Sequence, residues 1–244
     1  MKIKPINKVN LEKRVRDILK NNDWEVSSNL HYTDPNTKKP REKDIIATSI
    51  QLKNNDILRY HARLFVECKY LPTETKIHLE DTDMNKEENV ALVYDIPLVD
   101  ILKMENDKVI HLYKYTEVFK AKDSKDHLYK AINQNLQSFD AFRKNTSENK
   151  GIYYLIVVYD GKLKFRNEDR HNALVKIETL DDTYNLPHKK CFIELVSADQ
   201  FKDLLKKIKE DLREINERAC FNYKMEKNRI DEKRKRIQKD RCGY

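Results

Sequence analysis

The segment Leu64-Phe65-Val66-Glu67-Cys68-Lys69 is an apolar run that closes on an acid and a base two residues apart. Strand side chains alternate faces, so Phe65, Glu67 and Lys69 point one way and Leu64, Val66 and Cys68 the other. A carboxylate and an ammonium side by side at the end of a core strand suit a site that binds a metal ion and charges a water beside it. The plainer reading is a strand leaving the core into solvent. Upstream, Arg41-Glu42-Lys43-Asp44-Ile45-Ile46-Ala47-Thr48-Ser49-Ile50 is also strand-like, and Leu52-Lys53-Asn54-Asn55-Asp56 separates the two runs. An Asn-Asn-Asp cluster between β-rich runs signals a hairpin, because these residues tolerate the left-handed conformations of tight turns. A turn centred on Asn55-Asp56 pairs positions whose numbers sum to 111, which puts Asp44 opposite Glu67. A turn centred on Asn54-Asn55 makes the sum 109, with Asp44 opposite Phe65 and Glu67 as its diagonal neighbour. Opposed Cβ atoms lie roughly 5 Å apart and diagonal ones roughly 7 Å, so either register lets two carboxylates converge on one cation. An odd-length turn or a bulge would instead put the acids on opposite faces.

Several elements must position these residues. Asn10-Leu11-Glu12-Lys13-Arg14-Val15-Arg16-Asp17-Ile18-Leu19 reads as a helix with Leu11, Val15, Ile18 and Leu19 on its buried side. Glu12 then falls in the first turn after an Asn10 cap, where the helix dipole favours an acid. Trp24 to Tyr32 follows with alternating bulky residues, and Asp34-Pro35-Asn36 makes a turn before the Asp44 strand. Residues 72 to 126 are the least legible, with an acidic stretch at Glu80-Asp81-Thr82-Asp83 and strand-like pieces at Ala91 to Tyr94 and Val109 to Tyr113. His127 to Lys144 returns to helical order along Leu128, Ile132, Leu136, Phe139 and Phe142. Gly151 to Tyr159 is almost continuously apolar, which marks a central strand covered on both faces. A further strand is expected at Cys191 to Val196. Phe201, Leu204, Leu205, Ile208, Leu212, Ile215 and Ala219 recur at helical spacing, and from Tyr223 onward basic residues crowd in.

An Asp followed by Glu-x-Lys on the next strand, here Asp44 and Glu67-Cys68-Lys69, resembles the PD-(D/E)xK nuclease superfamily over roughly residues 10 to 165. The proline that names that motif is absent, and Lys43 stands in its place. The resemblance implies an α/β fold: a restriction-endonuclease-like core with a central mixed β-sheet flanked by helices, here with a C-terminal helical extension. It implies Asp44 and Glu67 as metal ligands, with the Cys68 carbonyl as a third protein oxygen. Lys69 would orient the attacking water and help it lose its proton. Many members carry a glutamate on the first helix, where Glu12 stands, and it would hold a metal-bound water or a second ion. Some use a polar residue of a later helix, for which Gln134 is the candidate and Gln137 the next. On helical periodicity alone both glutamines face solvent. The cofactor implied is Mg2+, with Mn2+ as a substitute, since a hard cation on carboxylates generates a nucleophile and stabilises charge on the phosphate.

Composition narrows the class. The chain has 244 residues, enough for a full core, and a net charge of +8 from 49 basic and 41 acidic side chains favours a polyanionic partner only modestly. Its glycines are Gly151, Gly161 and Gly243, too few for a phosphate-binding loop or dinucleotide fingerprint. Seven histidines show no zinc-ligand spacing, and Cys68, Cys191, Cys220 and Cys242 lie far apart without a CxxC pair, as expected of a cytoplasmic protein without disulfides. No leader segment is read, and runs such as Tyr153 to Tyr159 are too short to span a bilayer. The expected organisation is a nuclease core over 1–198 with an insertion at 72–126, then a basic helical extension over 199–244. Within that extension Lys227, Arg229, Lys233, Arg234 and Arg236 are candidates for nucleic-acid contact, since such a run sheds counterions from a polyanion. The plainer reading there is a solvated helix with interleaved acids.

The expected function is a metal-dependent endonuclease acting on DNA, of restriction or defence type by family. The alternative is a catalytically inactive nucleic-acid-binding or assembly subunit that keeps the fold, and a third reading is an RNA-directed nuclease. Cutting both strands of a duplex commonly calls for two sites, which raises a homodimer, and partner subunits of a larger complex, as arrangements open to the chain.

Overall fold

The computed structural model describes residues 6–34, 37–49, 61–71, 75–77, 79–81, 93–94, 112–115, 127–145, 151–165, 168–169, 172–178 and 190–241. Helix α1 (Ile6–Lys20) leads into strands β1 (Trp24–Thr33), β2 (Pro40–Ser49) and β3 (His61–Tyr70). Four short strands follow, β4 (Thr75–Ile77), β5 (Leu79–Asp81), β6 (Val93–Tyr94) and β7 (Leu112–Tyr115). Helix α2 (His127–Asn145), β8 (Gly151–Asp160), β9 (Leu163–Phe165), β10 (Glu168–Asp169), β11 (Asn172–Glu178), β12 (Lys190–Ser197) and helix α3 (Phe201–Arg241) complete the order. The protein is of the α/β class, with a mixed sheet in the order β1-β2-β3-β8-β12-β11-β7-β5 and β6 beside the start of β8. Strands β1, β2 and β3 are antiparallel from one to the next, while β3, β8 and β12 run parallel.

Helix α1 forms because Leu11, Val15 and Leu19 recur on one face, each under 4% exposed, with Ile18 at its border. Each such side chain contributes about 1.5–3 kcal/mol of burial. The helix starts at Ile6, so Asn10 is not its cap, and Glu12 sits in the second turn rather than the first. A dipole role for Glu12 therefore fails, and Glu12 is buried. At the other end Asp23 adopts φ 60, turning the chain from α1 into β1.

The β1–β2 connection is held by Asp34, whose carboxylate is fully buried. Its Oδ1 accepts from the Thr37 N–H at 3.1 Å, and its Oδ2 pairs with Arg41 Nε at 3.3 Å. Main-chain bonds between Asp34 and both Lys38 and Lys39 close the turn. The Asp34 turn is thus a side-chain-anchored hairpin that sets β2 against β1. The expected β2–β3 turn at Leu52 to Asp56 lies outside the described residues.

Strand β8 is central, with Ile152 to Tyr159 all buried between β3 and β12. Its alternate residues feed two cores. Ile152, Tyr154, Ile156 and Val158 pack with α1 and with Phe201, Leu205, Ile208 and Leu212 of α3. Tyr153, Leu155, Val157 and Tyr159 pack with Leu128, Ile132, Leu136 and Phe139 of α2. The first three turns of α3 therefore belong to the same core as the sheet, and the helix continues well past them. At about 1.5 Å per residue its length is roughly 60 Å.

Candidate functional site

Strands β2 and β3 pair from Thr48 with Arg63 to Ile45 with Val66, positions whose numbers sum to 111. This is the first of the two registers considered from the turn residues, and one step past the last ladder pair stand Asp44 and Glu67. Both are buried, at 2% and 1% exposure. Continuing the ladder would offer the Cys68 N–H a main-chain acceptor on β2. Instead Asp44 Oδ2 accepts that N–H at 2.9 Å, so a carboxylate finishes the pairing where the two strands part. Glu67 shares its face with Phe65, which packs against α2. Lys69, two residues on, is half-buried on the same side by strand alternation.

Two residues that sequence reasoning did not select complete the arrangement. Lys43 is 1% exposed, and its Nζ lies 3.4 Å from Glu67 Oε2 and 3.1 Å from Asn135 Oδ1. Alternation from Ile45 assigns Lys43 to the α1 face. The β1–β2 ladder skips the Asn29/Asp44 pair, with Asn29 at φ 55, and beyond this break the Lys43 ammonium stands on the α2 face. Burial pulls the Lys43 pKa down, opposed by the carboxylates of Glu67 and Asp44. Asn135, fully buried on α2, donates from Nδ2 to Phe65 O at 3.0 Å and Ile156 O at 2.9 Å. A carbonyl oxygen has two lone pairs, so each can serve the sheet and the amide together. With both amide hydrogens spent on carbonyls, the Asn135 oxygen is left to face Lys43.

Asn135 was legible in principle. It lies three residues after Ile132 and four before Phe139, within the apolar stripe of α2, whereas Gln134 stands off that stripe. In the structure Gln134 and Gln137 are half-buried, and the Gln134 carbonyl accepts from Tyr32 Oη at 3.3 Å, tying α2 to β1. The structure therefore brings Asn135, rather than Gln134, to Lys43 and Glu67. Lys43 marked its own position as the departure from the proline of the motif, but nothing in the sequence indicates that its amine turns inward.

The chemistry of the donors fits a hard cation. Asp44 and Glu67 carry carboxylate oxygens on adjacent strands, and the buried Lys43 ammonium beside Glu67 shows that positive charge is accommodated there. Glu12, although 7% exposed, does not join them as a third side chain. Among the described residues no group of three or more His, Cys, Asp or Glu is placed to hold a metal. A cation here would rest on two carboxylates, main-chain oxygen such as that of Cys68, and water. On α3, Lys227, Arg229, Lys233, Arg234 and Arg236 are exposed. Helical geometry splits them into two stripes, Arg229 with Lys233 and Arg236, and Lys227 with Arg234. Compared with family models, with curated proteins and with solved structures, the chain matches none.

Proposed function

We propose that the protein is a metal-dependent nuclease that hydrolyses DNA phosphodiester bonds, of restriction or defence type. The observation that carries this reading is the antiparallel β2–β3 register that brings Asp44 and Glu67 to one strand end, both buried, with Lys69 following on the Glu67 face. Two carboxylates taken out of water cost several kcal/mol each. A fold that only needed stability would place apolar residues there, so the acids point to a task. Asp44, Glu67 and the Cys68 carbonyl would hold Mg2+ or Mn2+, which supplies a nucleophile at neutral pH and neutralises charge on the phosphate.

The remaining work falls to the chain's own side chains. Lys69 orients the attacking water and, as the neutral amine, takes up its proton, a role suited to a half-buried side chain that follows Glu67 on the same face. The bond from Cys68 N–H to Asp44 fixes the carboxylate on β2 relative to the strand that carries Glu67 and Lys69. The exposed basic residues of α3 supply a salt-sensitive hold on the polyanion.

A second reading has its own support. Glu67 is engaged by the buried Lys43 ammonium, an arrangement also suited to a catalytically silent nucleic-acid-binding or assembly subunit. Plasmid and oligonucleotide cleavage with Mg2+, Mn2+ and chelator separates the two. The nuclease reading expects metal-stimulated cutting that collapses in Lys69→Ala, on DNA in preference to RNA of matched sequence. Salt-sensitive binding without any cutting would instead select the silent subunit.

A further inference from the structure

Four polar groups from three elements meet at the end of the β2–β3 ladder, each at most 2% exposed: Lys43, Asp44, Glu67 and Asn135. Burial works against the Lys43 ammonium, and the Glu67 and Asp44 carboxylates work for it. Two acids this dry are costly to ionise unless a cation stands near them. Lys43 supplies that cation, from just beyond the break in the β1–β2 ladder at Asn29 and Asp44. Asn135 fixes where the ammonium sits, because its amide is itself pinned to the Phe65 and Ile156 carbonyls of β3 and β8. The Glu67 contact is the longer of the two, at 3.4 Å against 3.1 Å for Asn135. Lys43 is thus bonded to Asn135 and ion-paired with Glu67 at the longer distance. Its exit is short as well, for the next residues toward the start of β2, Glu42 and Arg41, are half-buried and Pro40 is exposed.

We propose that the Lys43 ammonium is the resident counter-cation of the Asp44 and Glu67 carboxylates, and that a divalent cation binds this pair only by displacing it. The inference rests on the nuclease reading in one respect, that these two acids form a cation site. An ammonium donates hydrogens and has no lone pair to offer a metal, so both cations cannot share the same carboxylate oxygens. Their mutual repulsion in a site of low dielectric makes joint occupancy costly. Lys43 thus makes the site selective: it stays neutralised and folded without metal, and it opens only to a cation of higher charge. Asn135, once released by Lys43, presents a fixed oxygen toward the same place.

Two measurements on the full chain test this. The first is Mn2+ titration calorimetry on wild type, Lys43→Met and Lys43→Arg, each with and without Glu67→Gln. Lys43→Met is expected to bind Mn2+ about tenfold tighter or more, a gain of at least about 1.4 kcal/mol. Lys43→Arg keeps the charge and is expected to bind no tighter than wild type, and Glu67→Gln is expected to abolish binding in every background. The second is amine acetylation of wild type read by mass spectrometry, which needs no variant and so survives any folding defect of Lys43→Met. Lys43 is expected to be protected without metal and to become reactive at saturating Mn2+. Equal or weaker Mn2+ binding by Lys43→Met, or a Lys43 that stays protected at saturation, would overturn the proposal. If wild type binds Mn2+ through Asp44 and Glu67 while either of those results holds, displacement fails and the nuclease reading stands. If neither wild type nor Lys43→Met binds Mn2+, both fall.

Discussion

The roles proposed for Lys69 and Asn135 differ, and substitution separates them. Lys69 is half-buried at the strand end, so Lys69→Ala is expected to leave the melting temperature within about 2 °C while lowering metal-dependent cleavage about 10²–10⁴-fold, the usual worth of a general base. Asn135→Ala removes the amide's bonds to two strand carbonyls and one acceptor of the Lys43 ammonium at once. It is expected to cost about 2–4 kcal/mol in urea denaturation, through the breaking of a buried network rather than a change of volume. A cost under about 0.5 kcal/mol would mean that the amide does not tie α2 to the sheet. At this scale the sequence was informative where side-chain period and register suffice. The Asn55-Asp56 turn alternative predicted the pairing that the β2–β3 ladder shows, although the turn itself lies outside the described residues. Lys43 was not legible, because alternation sends it to the opposite face. Its approach to Glu67 follows a break in the β1–β2 ladder at Asn29 and Asp44, which side-chain period alone does not encode.

Among the elements, β3 and β8 leave the sheet together through a close approach of their ends. The Leu71 N–H donates to Asp160 O at 2.8 Å, and Gly161 follows with φ 131. A Cβ at Gly161 would lie 2.5 Å from the Leu71 carbonyl oxygen, in a backbone region that L side chains rarely adopt. Gly161→Ala is therefore expected to destabilise by about 1–3 kcal/mol and to disturb the strand end that carries Glu67 and Lys69, seen as cleavage falling faster than fold. Where α3 covers the sheet, Glu194 of β12 lies on the same face as Val196 and is pushed up to about 7 by burial, with Lys207 opposing. Its protonated form is favoured by folding, so the stability it contributes is full below the ordinary 4.5 and is lost as pH rises toward about 7. Partial exposure reduces the effect to about 1–3 kcal/mol. Melting temperatures are expected to fall across that window in wild type and to stay flatter in Glu194→Gln. Equal slopes would show that Glu194 ionises freely. Helix α2 and strand β8 were plain from their periods and continuous apolarity. The start of α1 was not, since Ile6 to Lys8 carry no stop or cap signal that outranks Asn10.

For the molecule as a whole, a charge of +8 spread over both signs gives a weak general attraction to polyanions, so specific placement of the basic residues matters more than their number. The distal half of α3 concentrates them away from the apolar turns that dock on the sheet. Charge removal along one stripe, Arg229, Lys233 and Arg236 together, is expected to flatten the dependence of log Kobs for DNA on log salt by up to about 0.9 for each phosphate the helix no longer neutralises. The same number of neutralisations split between the two stripes is expected to flatten it less. An unchanged slope in both would remove α3 from the nucleic-acid interface. No described helix is long and apolar enough to cross a membrane. The resemblance implied an α/β chain and the sequence a basic C-terminal run, yet the joining of α3 to the main core through Phe201, Leu205, Ile208 and Leu212 emerges only from the packed structure, because an apolar helix face does not name what it packs on.

Whether Asp44 and Glu67 act as one cation site decides the rest, and Mn2+ binding followed by electron paramagnetic resonance reads it directly. Wild type is expected to take up Mn2+ in a saturable manner that Mg2+ competes away, with Asp44→Asn and Glu67→Gln each abolishing that uptake while keeping the circular dichroism of the wild type. Mn2+ uptake unchanged in both variants, or absent from the wild type, would contradict it.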